Sequence, residues 1–163
     1  MLRPTLAALL LALGAAASQA EEAPMTVSIK RLSLETALTI ARGAVEACRK
    51  EGIQIGVTVV DRDGRVQAQL RDTIAAPITL RISRMKAYTA ANFNAATSAL
   101  GDRADTPIGR VQGLVMAAGG VPIQAGGTLL GAVGVSGAPS GATDEACARA
   151  GIDQVMDDLE MAL

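Results

Sequence analysis

Hydrophobic residues along this chain recur at two different periods, and the switches between those periods mark its elements. Met25 to Ile29 alternates apolar with polar and predicts a short strand. Leu34, Leu38, Ala41, Val45 and Cys48 then recur at helical spacing up to Gly52, behind Ser33 as an N-cap and with Glu35 in the first turn. Ile53 to Asp61 is β-branched and apolar, "DRDG" reads as a turn, and Arg65 to Arg71 alternates as the return strand of a hairpin. Pro77 opens a second helix through Phe93, with a shorter one following up to Leu100. The polar stretch "GDRADTPIGR" reads as a loop. A last helix runs from about Thr143 to the C-terminus, its apolar side made of Ala148, Ile152, Val155, Met156, Leu159 and Leu163.

Between the polar loop and the last helix lies "GGVPIQAGGTLLGAVGVSG", residues 119–137. It is glycine-rich, but it lacks the parts of a phosphate loop. No Lys followed by Ser or Thr comes after the glycines, and no helix starts there. A dinucleotide fingerprint would also lead straight from strand into helix. Here Gly131, Gly134 and Gly137 fall at every third place inside a β-rich run. The pairs Gly119-Gly120 and Gly126-Gly127 read as hairpin turns on either side of "VPIQA", and the later glycines as places of close packing or bulges.

Residues 1–20 carry a different signature. Arg3 precedes an apolar run from Leu6 to Ala17, and Ser18-Gln19-Ala20 ends it with small residues at the cleavage-reading positions. This pattern predicts a secretory signal peptide, which leaves a domain from 21 to 163 and a periplasmic or secreted protein. No later stretch is long and apolar enough for a membrane helix. With 163 residues, half of them hydrophobic, the chain suits one compact domain.

Composition excludes more than it assigns. Fifteen basic against sixteen acidic residues give no basic field for nucleic acid, and one Phe with one Tyr gives no stacking platform for bases. The chain has no histidine, which removes Ser-His-Asp triads, Cys-His dyads and histidine metal sites. Its two cysteines, Cys48 and Cys147, fall in separate predicted helices. An oxidising compartment would join them if those helices are neighbours; otherwise they are two small buried thiols.

Several ordered segments carry a family resemblance. "GGVPI" at 119–123, "GAVGVSG" at 131–137 and "DEACARAG" at 144–151 resemble the closing signature of the GlcG/HbpS family. "LSLETA" at 33–38, "VTVVDRDGRV" at 57–66 and "KAYTAANF" at 86–93 match its earlier motifs in order. One departure is "LRDTIAAP", where the family usually reads Arg-Met-Asp-Gly-Ala after the second strand. The resemblance implies a single α/β domain of α+β type, an antiparallel sheet with helices packed on it, similar to profilin-like folds. It further implies a homo-oligomer, a possible envelope partner protein, and haem as the cofactor.

The second helix holds the residues a haem would need. Ile78, Ile82, Met85, Thr89 and Phe93 fall on one face, apolar except for Thr89, as a wall for the porphyrin. A neighbouring face carries Arg81, Arg84 and Tyr88, cations and a phenol for the propionates and the iron. The resemblance points to Thr89, in "KAYTA", as an oxygen ligand or near-ligand of the iron, and places Lys86 in the same motif. Ligation by a neutral hydroxyl is weak, so the expected haem is labile and exchangeable.

Plainer roles exist for each residue. Thr89 could bond back to the carbonyl one turn earlier, Arg81 and Arg84 could pair with acids such as Asp72, and Met85 could fill core space. Tyr88 could pack at an interface, Lys86 could form a salt bridge, and Asp144 and Glu145 could stabilise the start of the last helix. Three functions stay open: an exported haem carrier or redox and haem sensor; a small enzyme of haem degradation or organic-acid turnover using Lys86, Arg84 and Asp61; and a non-catalytic assembly subunit.

Overall fold

The computed structural model describes residues 23–163, so the signal-peptide expectation for 1–20 lies outside the described residues. Helix α1 (Leu34–Lys50) begins where Ser33 accepts the Thr36 N–H on its hydroxyl at 3.1 Å, and ends before Gly52 at φ 75°. Strands β1 (Gly56–Asp61) and β2 (Val66–Arg71) form the expected hairpin. Helix α2 spans Ile78–Phe93. Two 3-10 turns, Thr97–Arg103 and Ile108–Arg110, occupy the polar region that follows. Strands β3 (Gly120–Ala125) and β4 (Thr128–Ser136) precede α3 (Gly141–Asp153) and α4 (Met156–Met161).

The four strands make one antiparallel sheet in the order β2-β1-β4-β3. Alternation along the strands divides its two faces. Val57, Val59, Val121, Ile123, Val133 and Val135 pack against α1 and α3 in the main core. Thr58 and Val60, opposite Gly134 and Ala132, face α2 on the other side. The result is a single α+β domain with helices on an antiparallel sheet, as the family resemblance implies.

The glycine-rich run is explained by α2. A Cβ at Gly134 would lie 2.1 Å from the Ser83 carbonyl oxygen and 2.5 Å from the Ala87 nitrogen. One at Gly120 would lie 2.4 Å from the Lys86 carbonyl oxygen. The helix backbone therefore rests directly on the strands, and α2 buries small or polar residues there, among them Ser83, Ala87, Ala90 and Ala91. Its large apolar side chains are left to other surfaces.

Four local expectations are corrected. Met25–Ile29 is not a strand; Met25 and Val27 are exposed, because alternation without a neighbouring edge leaves the backbone no ladder to join. Gly126-Gly127 form a hairpin turn with φ of 53° and 74°, but Gly119-Gly120 do not, Gly120 being the first residue of β3. The last helix breaks between α3 and α4, where the Gln154 side chain folds against Gly43. Leu163, placed on its apolar side, is exposed. The open question of the cysteines is closed: α1 and α3 pack together, and Cys48 and Cys147 form a disulfide with their Cα atoms 5.6 Å apart.

Candidate functional site: a cavity beside the second helix

The side of α2 turned away from the sheet borders a cavity of about 420 Å³, within the range of small-molecule sites. Leu80, Arg81, Arg84, Met85 and Tyr88 line it at helical spacing, so one stripe of α2 forms its wall. Gln69 of β2 forms the floor, and Gln112 and Gly113 close the side opposite. The lining is predominantly apolar, with the two guanidinium groups as its charges.

Each wall has a local cause. Gln69 donates through Nε2 to the Thr58 hydroxyl at 2.8 Å and to the Leu80 carbonyl at 3.0 Å, while Thr58 and Ser83 share a hydrogen bond of 2.8 Å. This polar network ties β1 and β2 to the first turns of α2. The Tyr88 ring lies over the β1–β2 turn at Gly64, where a Cβ would come within 2.6 Å of the ring. Gly64 also has φ 79°, so both the turn and the ring's seat need glycine there. The loop side is a turn in which the Leu114 N–H meets the Val111 carbonyl at 3.2 Å, with Gly113 at φ 95°.

The structure brings four of the six expected site residues together: Arg81, Arg84, Met85 and Tyr88. It separates the other two. Lys86 is turned toward the sheet and buried, its ammonium donating to Asp144 Oδ2 at 2.8 Å and to the Val135 carbonyl at 3.0 Å. Thr89 is wholly buried; its hydroxyl donates to the Met85 carbonyl at 2.8 Å and accepts the Val115 N–H at 2.9 Å. Neither residue lines this cavity: Lys86 is engaged by Asp144 and Val135, and the Thr89 hydroxyl by Met85 and Val115. The expected porphyrin wall also splits. Of Ile78, Ile82, Met85, Thr89 and Phe93, Met85 alone reaches the cavity, while Ile78 is exposed and Phe93 packs under the Arg103 guanidinium. Sequence reasoning missed Gln69, Leu80, Gln112 and Gly113, because nothing in an alternating strand distinguishes Gln69 from Gln67.

Charge pairing leaves the arginines available. Asp72, considered as their partner, is instead held in a fork by Arg49, with contacts of 2.7 and 2.6 Å. That pairing keeps the Asp72 carboxyl below the ordinary carboxylate range, despite opposing burial, and raises Arg49. Among the described residues, Arg81 and Arg84 have no acidic partner. Asp144 sits at the start of α3, accepting the Ala138 N–H as well as Lys86; burial pushes its carboxyl up, and the Lys86 ammonium opposes that rise. Glu145 pairs with Arg149 one turn on.

Two residues considered for organic-acid turnover, Asp61 and Lys86, have structural partners. Asp61 caps its own hairpin, accepting the Asp63 and Arg65 N–H groups at 2.9 Å, and binds Arg31 at 2.6 Å. Lys86 is committed to Asp144. Among the described residues no three His, Cys, Asp or Glu side chains form a metal-holding group, and no helix is long and apolar enough to cross a membrane.

A family model described as haem degrading protein HbpS-like matches residues 32–153. The chain belongs to the HbpS-like family. Among solved structures it is similar to a double mutant of Streptomyces reticuli HbpS, with 39% identity and TM-score 0.77, covering 87% of this chain and 99% of that one. A PduOC:heme complex is similar at 27% identity and TM-score 0.70, covering 76% of this chain and 94% of that one. Klebsiella pneumoniae protein ORFY shares the fold at 21% identity and TM-score 0.75, covering 82% and 96%. No curated protein matches the chain.

Proposed function

We propose that this chain is an exported haem-binding protein, a carrier or a redox and haem sensor, whose site is the cavity beside α2. The observation that carries the reading is the pairing, on one helical stripe, of two arginines without acidic partners among the described residues and an apolar wall of Leu80, Met85 and Tyr88. Haem presents two carboxylates and a flat apolar ring, and these residues match both parts. Arg81 and Arg84 would hold the propionates, Leu80 and Met85 would flank the ring, and Tyr88 or Met85 would reach the iron. Bound there, haem supplies a redox-active iron; the protein's part is to hold it and limit its contact with water. With no histidine in the chain and an open cavity, binding is exchangeable.

Two further observations support the reading. One structure to which the chain is similar is a PduOC:heme complex, and the Cys48–Cys147 disulfide suits an oxidising compartment outside the cytoplasm. N-terminal sequencing of the exported protein should begin at Glu21; retention of residues 1–20 would refute export. Homo-oligomerisation belongs to the proposal too, and mass measurement with and without hemin tests it.

Hemin titration of the purified protein tests the function. A saturable Soret change at micromolar hemin, reversed by a haem-scavenging globin, is expected. Absence of any saturable change would reject the reading. The family model's description favours a second reading, haem degradation; steady loss of Soret absorbance with an added reductant and dioxygen would support it, and a stable band would exclude it.

A further inference from the structure

Segment 111–116 forms the loop side of the cavity, yet it has no regular structure to hold it there. Its internal bonds are local: the Val111 N–H reaches back to Ile108, and the Leu114 N–H reaches back to Val111. Among the described residues, one hydrogen bond joins this segment to a helix or strand of the sheet layer. It is the Val115 N–H donating to the Thr89 hydroxyl at 2.9 Å, two residues after cavity-lining Gly113. Thr89 is fixed in turn, because the same hydroxyl donates to Met85 one helical turn earlier at 2.8 Å. Met85 lines the other side of the cavity. One buried oxygen thus links both walls.

We propose that Thr89 is a positioning residue whose hydroxyl latches segment 111–116 against α2 and so shapes the loop side of the arginine-lined cavity. The inference rests on the haem-binding reading only for its consequence, not for the latch itself. A hydroxyl is needed, since it alone both donates to the helix carbonyl and accepts the loop N–H. Valine matches threonine in shape but does neither. Serine keeps both bonds.

The test uses the full mature chain with Thr89→Val, Thr89→Ser and Val115→Pro, the last removing the same bond from the loop side. In ligand-free protein, amide exchange across 111–116 should speed about fivefold in Thr89→Val, the factor for one ordinary net hydrogen bond. Thr89→Ser should stay within about twofold of wild type on the same scale. Hemin dissociation into a scavenging globin should quicken by a similar factor in Thr89→Val, with the Soret position unchanged. Should Thr89→Val fold poorly, Val115→Pro must give the same pattern. Unchanged exchange overturns the latch, and faster exchange with unaltered hemin dissociation overturns its part in shaping the cavity. A shifted Soret band in Thr89→Val overturns it as well, by making the hydroxyl an iron ligand. If wild-type protein takes up no hemin, the haem reading fails by itself, and the exchange result alone decides the latch.

Discussion

Replacing Lys86 by Met removes a buried cation while keeping the side chain's length and most of its packing. Lys86 and Asp144 are each about 5% exposed in their side chains, so neither charge is compensated by water. The change deletes the 2.8 Å contact to Asp144 and the 3.0 Å bond to Val135, and leaves the carboxylate with the Ala138 N–H as partner. Breaking a buried pair from one side costs about 3–5 kcal/mol. For a domain of this size that corresponds to a fall in Tm of roughly 10–15 °C. The loss must depend on pH. Asp144 already has a folded pKa raised above 3.8 by burial, and removing Lys86 raises it further. The folded state then holds this proton more tightly than the unfolded chain. Stability therefore falls as pH rises from 3.8 through the folded pKa, and the variant's deficit is smaller below that window than above it. Urea unfolding across that window in both proteins measures this, and Lys86→Met with Asp144→Leu should recover much of the loss. A deficit under about 1 kcal/mol at neutral pH, or one flat across the pH range, would refute the argument that the pair is buried and mutually dependent.

Gly134→Ala should cost about 3 kcal/mol in urea unfolding, because its Cβ would meet helix backbone at 2.1 Å and not a side chain that can turn aside; a loss below about 1 kcal/mol would contradict the close seating of α2. Asp72 has a folded pKa below 3.8, so the stability it contributes is present above that value and lost as pH falls through the folded pKa; Asp72→Asn should flatten that part of the acid-unfolding curve, and an unchanged slope would contradict the Arg49 fork. Protein purified from an oxidising compartment should show no free thiols until reduced, and reduction should lower stability by about 4.7 kcal/mol for a link spanning 99 residues. Titratable thiols before reduction would contradict the disulfide.

The elements were legible wherever periodicity and punctuation agreed. Ser33, the "DRDG" turn and Gly126-Gly127 each marked a boundary that local chemistry alone enforces. The glycine-rich run was readable as strand, but its cause was not, since the helix residues pressing on Gly134 and Gly120 lie 51 to 34 residues earlier. The same contact explains why the stripe expected as a porphyrin wall is divided between surfaces. Helical spacing identifies a stripe, but glycines in the sheet decide that α2 buries Ser83, Ala87 and Ala90 in preference to its larger residues. Arg81, Arg84 and Tyr88 were visible as a neighbouring stripe because helix geometry sets their grouping. The partners of Thr89 and Lys86, Val115 and Asp144, lie 26 and 58 residues on, where spacing carries no information.

The central claim is that the arginine-lined cavity receives the carboxylates of haem. The most direct measurement compares hemin affinity in the wild type with that in the double variant Arg81→Gln, Arg84→Gln, at one ionic strength and with folding verified by circular dichroism. Loss of two partly exposed carboxylate contacts should weaken binding roughly tenfold and reduce its salt dependence. Equal affinity and equal salt dependence in the two proteins would contradict the account.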